Sequence, residues 1–264
     1  MLEIKTVLLL AVLVAGVLGG AWPLRQRQRA RGGRGLAWGN AFAAGVFLGA
    51  GLLHLLPDAN EAWAALGWGY PIGYALAALA VLGMWWVEHV LPPEAAHHAI
   101  HAPSTERFAG REAIGGRRTA YAILLALGIH SFLAGLALGA QAELSRALVL
   151  FGAILAHKSV AGFALGVSLA RSGLSQRRAW WLLWSFALAT PIGIAVGTGF
   201  SSGLDGPLRL GAEASFLALA AGTFVYVATL DILREEAHPA SDRLAKWVWV
   251  GAGVAIMAVL ALWV

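Results

Sequence analysis

The sequence predicts an all-α integral membrane protein of eight transmembrane helices, from its hydropathy, the length of its apolar runs and the placement of its charges. Hydrophobic residues make up 59% of the 264 residues and charged residues 12%, with a mean hydropathy of +0.71. This composition is too apolar for the surface that a soluble domain must show. The chain is therefore built for a lipid bilayer.

Apolar runs long enough to cross a bilayer recur along the whole chain. A helix needs about 20 apolar residues to cross a hydrocarbon core of about 30 Å. These runs lack the alternation of a membrane β-strand, which favours helices. The predicted spans are 4–22, 36–56, 70–91, 119–140, 147–170, 179–200, 211–233 and 247–264. The first run also has features of a signal peptide, with Lys5 before it and small residues after it.

Basic residues lie in alternate loops between these spans. The intervening loops hold only Arg146 and Arg209. This asymmetry is the positive-inside pattern and predicts that both termini lie outside. The net charge of +5 therefore reflects topology, and nucleic acid is excluded as a partner. The predicted inner loops hold Arg25, Arg27, Arg29, Arg31, Arg34, Arg107, Arg111, Arg117, Arg118, Arg171, Arg177, Arg178, Arg234, Arg243 and Lys246.

Residues 1–264 are predicted to form a single transmembrane domain, because the longest polar connection, 92–118, is too short for a core of its own. This cytoplasmic loop carries His97, His98 and His101 and has a helix-breaking composition that predicts mobility. Its histidines either bind metal loosely or are solvated without a further role. The chain has no cysteine, so any metal site must use nitrogen and oxygen donors.

An inverted repeat relates the fourth and fifth spans. The segments HSFLAGLALG, at 130–139, and HKSVAGFALG, at 157–166, agree at six positions and cross the membrane in opposite directions. Transporters built from inverted repeats hold substrate near the midplane, where each repeat carries its histidine. Alternatively, the repeat records only close packing of two helices through glycines spaced four residues apart.

His130 and His157 are the strongest candidates for a functional site. Ionisable residues inside a membrane are costly and mark ion pathways by default. Two imidazoles on facing helices can share one zinc-like cation, whereas a lone buried histidine more often only bonds a carbonyl. Lys158 follows His157 and either limits the site to one ion or pairs with a carboxylate or carbonyl.

Four further ionisable residues lie near the ends of spans. His54 and Asp58 share a helix face at the outer end of the second span, where they could collect cations or serve as ordinary interfacial residues. Glu88 and Asp231 lie at the inner ends of the third and seventh spans, where they could release an ion or extend to the interface.

Five spans carry sequence motifs, which are GNAFAAGVFLGAGLLHLLPDA, HSFLAGLALGAQ, AHKSVAGFALGVSL, ATPIG and AAGTFVYVATLDILREE. Together they resemble the motifs of the ZIP (Zrt/Irt-like) family of divalent-metal transporters, over nearly the whole chain. The resemblance implies carriage of Zn²⁺, Cd²⁺, Fe²⁺ or Mn²⁺ as substrate towards the cytoplasm, often as a homodimer. It also favours a multi-pass protein of a plasma membrane, most simply a bacterial inner membrane, with lipid around it and no organic cofactor.

The resemblance assigns roles to particular residues. His130 and His157 match the first metal site, while Asp58 matches an entrance position and Asp231 a position near the inner exit. The second site of two-metal members matches Ser131, Lys158 and Thr190, where Lys158 replaces a ligand, so one ion at most is implied.

The chain departs from the family pattern at two acidic ligand positions, which are Ala134 and Ala161 here. Two neutral imidazoles beside Lys158 offer no negative charge to a cation. They also supply only two of the four donors that zinc usually takes. The remaining donors must come from water, Ser131, Gln141 or an acid from another span. The chain is therefore a transporter with a weak site or a ZIP-fold protein that has lost transport and serves as a regulatory or structural membrane partner. An intramembrane metal hydrolase needs a general base that no mid-span residue supplies, and we expect no enzyme.

Overall fold

The structure, a computed structural model, describes residues 2–27, 33–90, 104–237 and 242–262. Within these ranges it contains eight helices that are long and apolar enough to cross a membrane, and no strand. The predicted fold class and number of spans are confirmed. We use "outer end" and "inner end" for the two ends of the bundle as the charge pattern predicts them.

The helices are numbered α1 to α8 in chain order. They are α1 Leu2–Arg25, α2 Arg34–Ala65, α3 Ile72–Val90, α4 Ser104–Ala140, α5 Leu144–Arg171, α6 Gln176–Ser201, α7 Gly206–Ala237 and α8 Arg243–Leu260.

Helix α4 begins at Ser104, whereas the sequence predicted a loop over 92–118. The second part of that loop is helical, which corrects the prediction. The first turns of this helix contain good helix formers such as Glu106 and Arg107. His97, His98 and His101 lie outside the described residues.

Two helices contain a π-helical turn. In α2 it spans Gly51–Leu55 and is followed by Pro57, whose ring would clash with the carbonyl of an unbroken α-helix. In α7 it spans Val227–Leu233 and carries Asp231. Each π-helical turn thus rotates an ionisable side chain, His54 in α2 and Asp231 in α7, relative to an ideal helix.

Four helices form the interior of the bundle and four form its periphery. At least half of the transmembrane residues are buried in each of α2, α4, α5 and α7. In each of α1, α3, α6 and α8, less than half of them are buried. A helix surrounded by protein can carry polar side chains away from lipid. The interior helices are therefore the ones that can hold a pathway.

The glycines of the inverted repeat pack the two helices against different neighbours. Gly135 of α4 meets Gly193 of α6, and a Cβ at Gly135 would overlap the Thr190 carbonyl oxygen. Gly162 of α5 meets Gly16 of α1 in the same way. The alternative interpretation of the repeat, close packing through these glycines, therefore applies to α4 against α6 and α5 against α1, because each glycine face is turned to a peripheral helix.

A buried ionic network joins four helices at the inner end. The Glu236 carboxylate of α7 accepts hydrogen bonds from Asn40 of α2 at 3.0 Å and from Arg171 of α5 at 2.7 Å. Lys246 of α8 lies 3.2 Å from the same carboxylate. Arg171 also pairs with Glu235 at 3.1 Å. The inner ends of these helices are thereby tied to one side chain.

Candidate metal site

His130 of α4 and His157 of α5 meet in the interior of the bundle. Their ring centroids are 5.5 Å apart and the rings are inclined by 70°. Each residue is 2% exposed. The structure therefore brings together the two imidazoles that the repeat singled out, and neither ring faces lipid.

The tautomer of His130 follows from its hydrogen bonds. Its Nδ1 lies 2.9 Å from the carbonyl oxygen of Ala220 and 3.2 Å from the hydroxyl of Thr223. Because a carbonyl can only accept, Nδ1 carries the proton and donates it. The hydroxyl of Thr223 donates to the same carbonyl. A neutral ring with Nδ1 protonated leaves its lone pair on Nε2, the arrangement of a metal-ligating histidine held by a carbonyl.

Each ring of this pair has one buried nitrogen without a hydrogen-bond partner among the described residues, Nε2 in His130 and Nδ1 in His157. Leaving a buried polar atom unpaired costs about 1–3 kcal/mol. A cation bound between the rings would remove that cost if both nitrogens presented lone pairs. The geometry is thus chemically suited to a cation that accepts nitrogen donors.

Phe224 of α7 fixes the orientation of both rings. It stacks on His130 with centroids 3.3 Å apart and meets His157 edge to face at 5.0 Å. Phe47 of α2 stacks on Phe224, with ring centroids 4.8 Å apart. The imidazoles therefore contact an aromatic side chain of α7 that is itself packed against α2.

The carboxylates that a tight metal site needs are not beside these histidines. No group of three or more His, Asp or Glu side chains is placed to hold a metal ion in the part of the chain that the structure describes. Ala134 and Ala161 are buried, in line with the departure that the sequence showed. Gln141 lies at the outer end of α4, where it donates a hydrogen bond to Glu213.

Lys158 is buried between α4, α5 and α6. Its Nζ donates hydrogen bonds of 2.9 Å to the hydroxyls of Ser131 and Thr190. The ammonium also lies 3.9 Å from the ring centroid of Phe186, within range of a cation–π contact. No carboxylate pairs with it among the described residues. The structure thus brings together the three residues that match the second metal site. The ammonium group of Lys158 lies between the two hydroxyls.

A cavity of about 470 Å³ with several ionisable side chains in its lining opens at the outer end of the bundle. One of its lining residues is the buried His54, whose Nδ1 lies 3.2 Å from a carboxylate oxygen of Asp58. Its walls are supplied by α2, the start of α5 and the start of α7. The lining residues are His54, Asp58, Glu61, Ala62, Ala65, Gln141, Ser145, Arg146, Val149, Leu150, Leu210, Glu213 and Leu217.

Glu88 and Asp231 lie towards the inner end of the bundle. Asp231 is 7% exposed, and its Oδ2 has no hydrogen-bond partner among the residues described. The hydroxyl of Tyr226 donates to the Glu88 carboxylate. The inner side therefore offers two carboxylates, one of them held by a tyrosine.

The structure adds three residues that the sequence reasoning did not single out. Phe224 carries no sequence signal, because an apolar residue in a membrane span is unremarkable. Tyr226 likewise gained its role only through contact with α3. Glu213 could have been found, since it is a carboxylate within the predicted seventh span and the rule for intramembrane ionisable residues applies to it.

Comparison with known proteins gives one consistent family. The family model described as ZIP zinc transporter matches residues 2–107 and 92–261. The chain is 33% identical to the zinc transporter ZIP2 of Mus musculus over 258 residues, covering 84% of this chain and 83% of that protein. Identity to the zinc transporter ZIP2 of Homo sapiens is 31%, with the same coverage. Identity to the human zinc transporter ZIP1 is 28%, covering 97% of this chain and 90% of that protein.

Proposed function

The chain belongs to the ZIP zinc transporter family, and from this premise we propose that it carries a divalent metal cation, Zn²⁺ foremost, towards the cytoplasm past His130 and His157. The observation that carries the proposal is the pair of buried imidazoles with unpartnered nitrogens at the meeting point of two repeat-related helices. Zinc as substrate is favoured because the relatives are named zinc transporters. Cd²⁺, Fe²⁺ and Mn²⁺ are further substrates to test.

The pathway that we propose uses the interior helices in order. A cation enters the outer cavity past Asp58 and His54, is held between His130 and His157, and leaves past Asp231 and Glu88. His54, His130, His157 and Asp231 are buried and Asp58 lines the outer cavity, while the half-buried Glu88 is held by the hydroxyl of Tyr226. The direction follows the family resemblance.

The site is proposed to bind weakly. Two neutral imidazoles supply half of the four donors that zinc usually takes, and the Lys158 ammonium in the adjacent position repels a cation. Ser131 already accepts a hydrogen bond from Lys158, so water is left to complete the coordination. Weak binding suits rapid release, and the ammonium limits the site to one ion.

Flux measurements on reconstituted vesicles test the proposal. Uptake of Zn²⁺ by His130→Ala should fall at least about tenfold, since loss of even a supporting group of a metal site costs 10–100-fold. His89→Ala is the matched control, because His89 is exposed on α3 and bonds only the backbone of its own helix in the described structure. Equal uptake by His130→Ala and the unaltered protein would contradict the pathway.

A second function is favoured by the two alanines at acidic ligand positions. On this reading the protein keeps the fold, no longer transports, and serves as a regulatory or structural partner in the membrane. It predicts no flux from the unaltered protein. Ala134 lies one turn from His130 on the same helix face, so Ala134→Glu should then restore zinc binding, measured by calorimetry, while Ala134→Gln should not.

The protein is a multi-pass membrane protein. We place it in a plasma membrane, most simply a bacterial inner membrane, as a homodimer that transports rather than catalyses a reaction. The peripheral helices α3 and α8 are the least buried and offer apolar surface to lipid or to a second copy. Cross-linking in native membranes that yields only monomer would argue against the dimer.

A further inference from the structure

Glu213 lies on the wall of the outer cavity, supplied by α7, while Asp58 and His54 line the same cavity from α2. Carboxylates therefore reach this cavity from two interior helices. The side chain of Gln141 donates a hydrogen bond to Glu213 and so fixes the carboxylate across the boundary between α4 and α7. Glu61 adds a third carboxylate to the lining.

His54 is presented to this cavity in the manner of a metal ligand. Its side chain is 4% exposed and its Nδ1 lies 3.2 Å from the Asp58 carboxylate. Its Nε2 is buried without a hydrogen-bond partner among the described residues. A carboxylate that holds one ring nitrogen fixes the tautomer and leaves the other nitrogen as a donor to a cation.

The charge and the size of the cavity suit a hydrated divalent cation. Arg146 is the cationic residue of the lining, and it is paired with Glu143, which lies outside the lining, at 3.2 Å. The carboxylates thus outweigh the single guanidinium. Six waters at about 30 Å³ each occupy less than half of the roughly 470 Å³. A cation can enter with its water shell, so the donors need not converge as in a tight site.

His54 also lines a second, smaller cavity of about 40 Å³, which it shares with Ala153 and Ala156 of α5, in the turn that precedes His157, and with Met257 of α8. A cation that exchanged a water for His54 Nε2 would already lie next to the helix that carries the next donor.

We propose that Glu213, positioned by Gln141, and the His54–Asp58 pair form a separate outer site that takes up a hydrated divalent cation before it reaches His130 and His157. The proposal rests on the transport function proposed above and names the first binding step. Glu213 contributes charge that attracts the ion, and His54 contributes the first direct ligand.

Calorimetric titration with ZnCl₂ separates this site from the buried pair. The purified double variant His130→Ala, His157→Ala should still bind zinc at one weak site. Adding Glu213→Gln should weaken that binding at least about fivefold, because one of few carboxylates is lost while the side-chain shape and its hydrogen bond to Gln141 are kept. Asp205→Asn is the matched control, since it removes the same charge from an exposed residue at the outer end that does not line the cavity.

Transport gives a second measurement. In otherwise unaltered protein, Glu213→Gln should raise the KM for zinc uptake about three- to tenfold with little change in Vmax, as expected when binding is lost without loss of a later step. Asp205→Asn should leave KM unchanged. If Glu213→Gln does not fold, His54→Gln removes the ligand from the opposite wall and should weaken zinc binding in the same titration.

The outcomes distinguish the two proposals. A double variant that binds no zinc, or that binds it equally well with Glu213→Gln or His54→Gln, overturns the outer site whatever the flux shows. Zinc binding that depends on Glu213, in a protein without flux, supports the outer site and removes the transport function. An effect of Asp205→Asn equal to that of Glu213→Gln would reduce the result to general surface charge and would also overturn the site.

Discussion

A neutral imidazole pair next to a lysine ammonium is the unusual feature at the scale of residues. His130 and His157 contribute nitrogen donors without charge, and Lys158 contributes charge without a lone pair. Its ammonium is held by the hydroxyls of Ser131 and Thr190 and by the face of Phe186. In the proposed pathway this side chain is an internal cation that opposes binding of the transported ion.

Replacing Lys158 should tighten zinc binding. A unit charge about 8–10 Å from a divalent ion opposes it by roughly 3–4 kcal/mol at an effective dielectric constant of about 20. Lys158→Met keeps the length of the side chain and should raise the zinc affinity of purified protein by about tenfold or more, measured by calorimetry. Ser131→Ala keeps the ammonium and removes one hydroxyl, so it should give no such gain. Unchanged affinity in Lys158→Met would show that the ammonium does not act on the bound ion.

At the scale of elements, α4 presents two faces with different tasks. Its glycine face lies directly against α6, where Gly135 and Gly193 let the two backbones approach. Its histidine face looks towards α5 and α7, where His130 reaches the Ala220 carbonyl. In a membrane the hydrophobic effect does not drive helices together, so their association depends on close packing, which small residues allow. Packing of the glycine face against α6 therefore positions the histidine face towards α5 and α7.

A matched pair of substitutions on α4 tests this division. Gly135→Ala should destabilise the protein by about 1–3 kcal/mol, because the added methyl group overlaps backbone of α6. Gly128→Ala should be neutral or stabilising by less than about 1 kcal/mol, since nothing in the described structure lies within 4 Å of a Cβ there. Thermal unfolding in detergent micelles reports both. Equal melting temperatures would mean that α4 and α6 can move apart to accommodate the methyl group without loss of stability.

At the scale of the whole molecule, the two ends of the bundle differ. The outer end contains the cavity of about 470 Å³ that leads to His54. The inner end is tied together by the network around Glu236, which connects α2, α5, α7 and α8. In the proposed pathway an ion approaches through this cavity, and its release at the inner end requires these helices to separate.

The Glu236 network should contribute strongly to stability. Glu236→Gln removes the buried partner of Arg171 and Lys246, and breaking a buried ion pair in this way costs about 3–5 kcal/mol. Glu235→Gln should cost less than about 1 kcal/mol, because the side chain of Glu235 is 32% exposed and its pair with Arg171 is screened. The melting temperature should fall clearly for the first variant alone. Similar melting temperatures for both variants would show that the Glu236 network is not the main stabilising interaction at the inner end.

Much of the bundle could be predicted because hydropathy is a local property. Each run of apolar residues indicates that the segment is surrounded by lipid or protein and not by water. Each of the eight spans could therefore be predicted from its own sequence. The start of α4 was misplaced because residues 104–118 are polar, and a polar segment can be a loop or a helix that extends beyond the bilayer. Glu213 was not singled out, although it lies within the predicted seventh span and lines the outer cavity.

By itself the sequence determined the membrane class, the number of spans and the two histidines at equivalent places in related helices. Only the tertiary structure decided that the repeat glycines face α1 and α6, that an Ala220 carbonyl sets the tautomer of His130, and that Glu213 faces the same cavity as Asp58. The reason is that span formation depends on the solvent around one segment. Which faces meet depends on contacts between residues far apart in the chain, and a single sequence carries no local record of them.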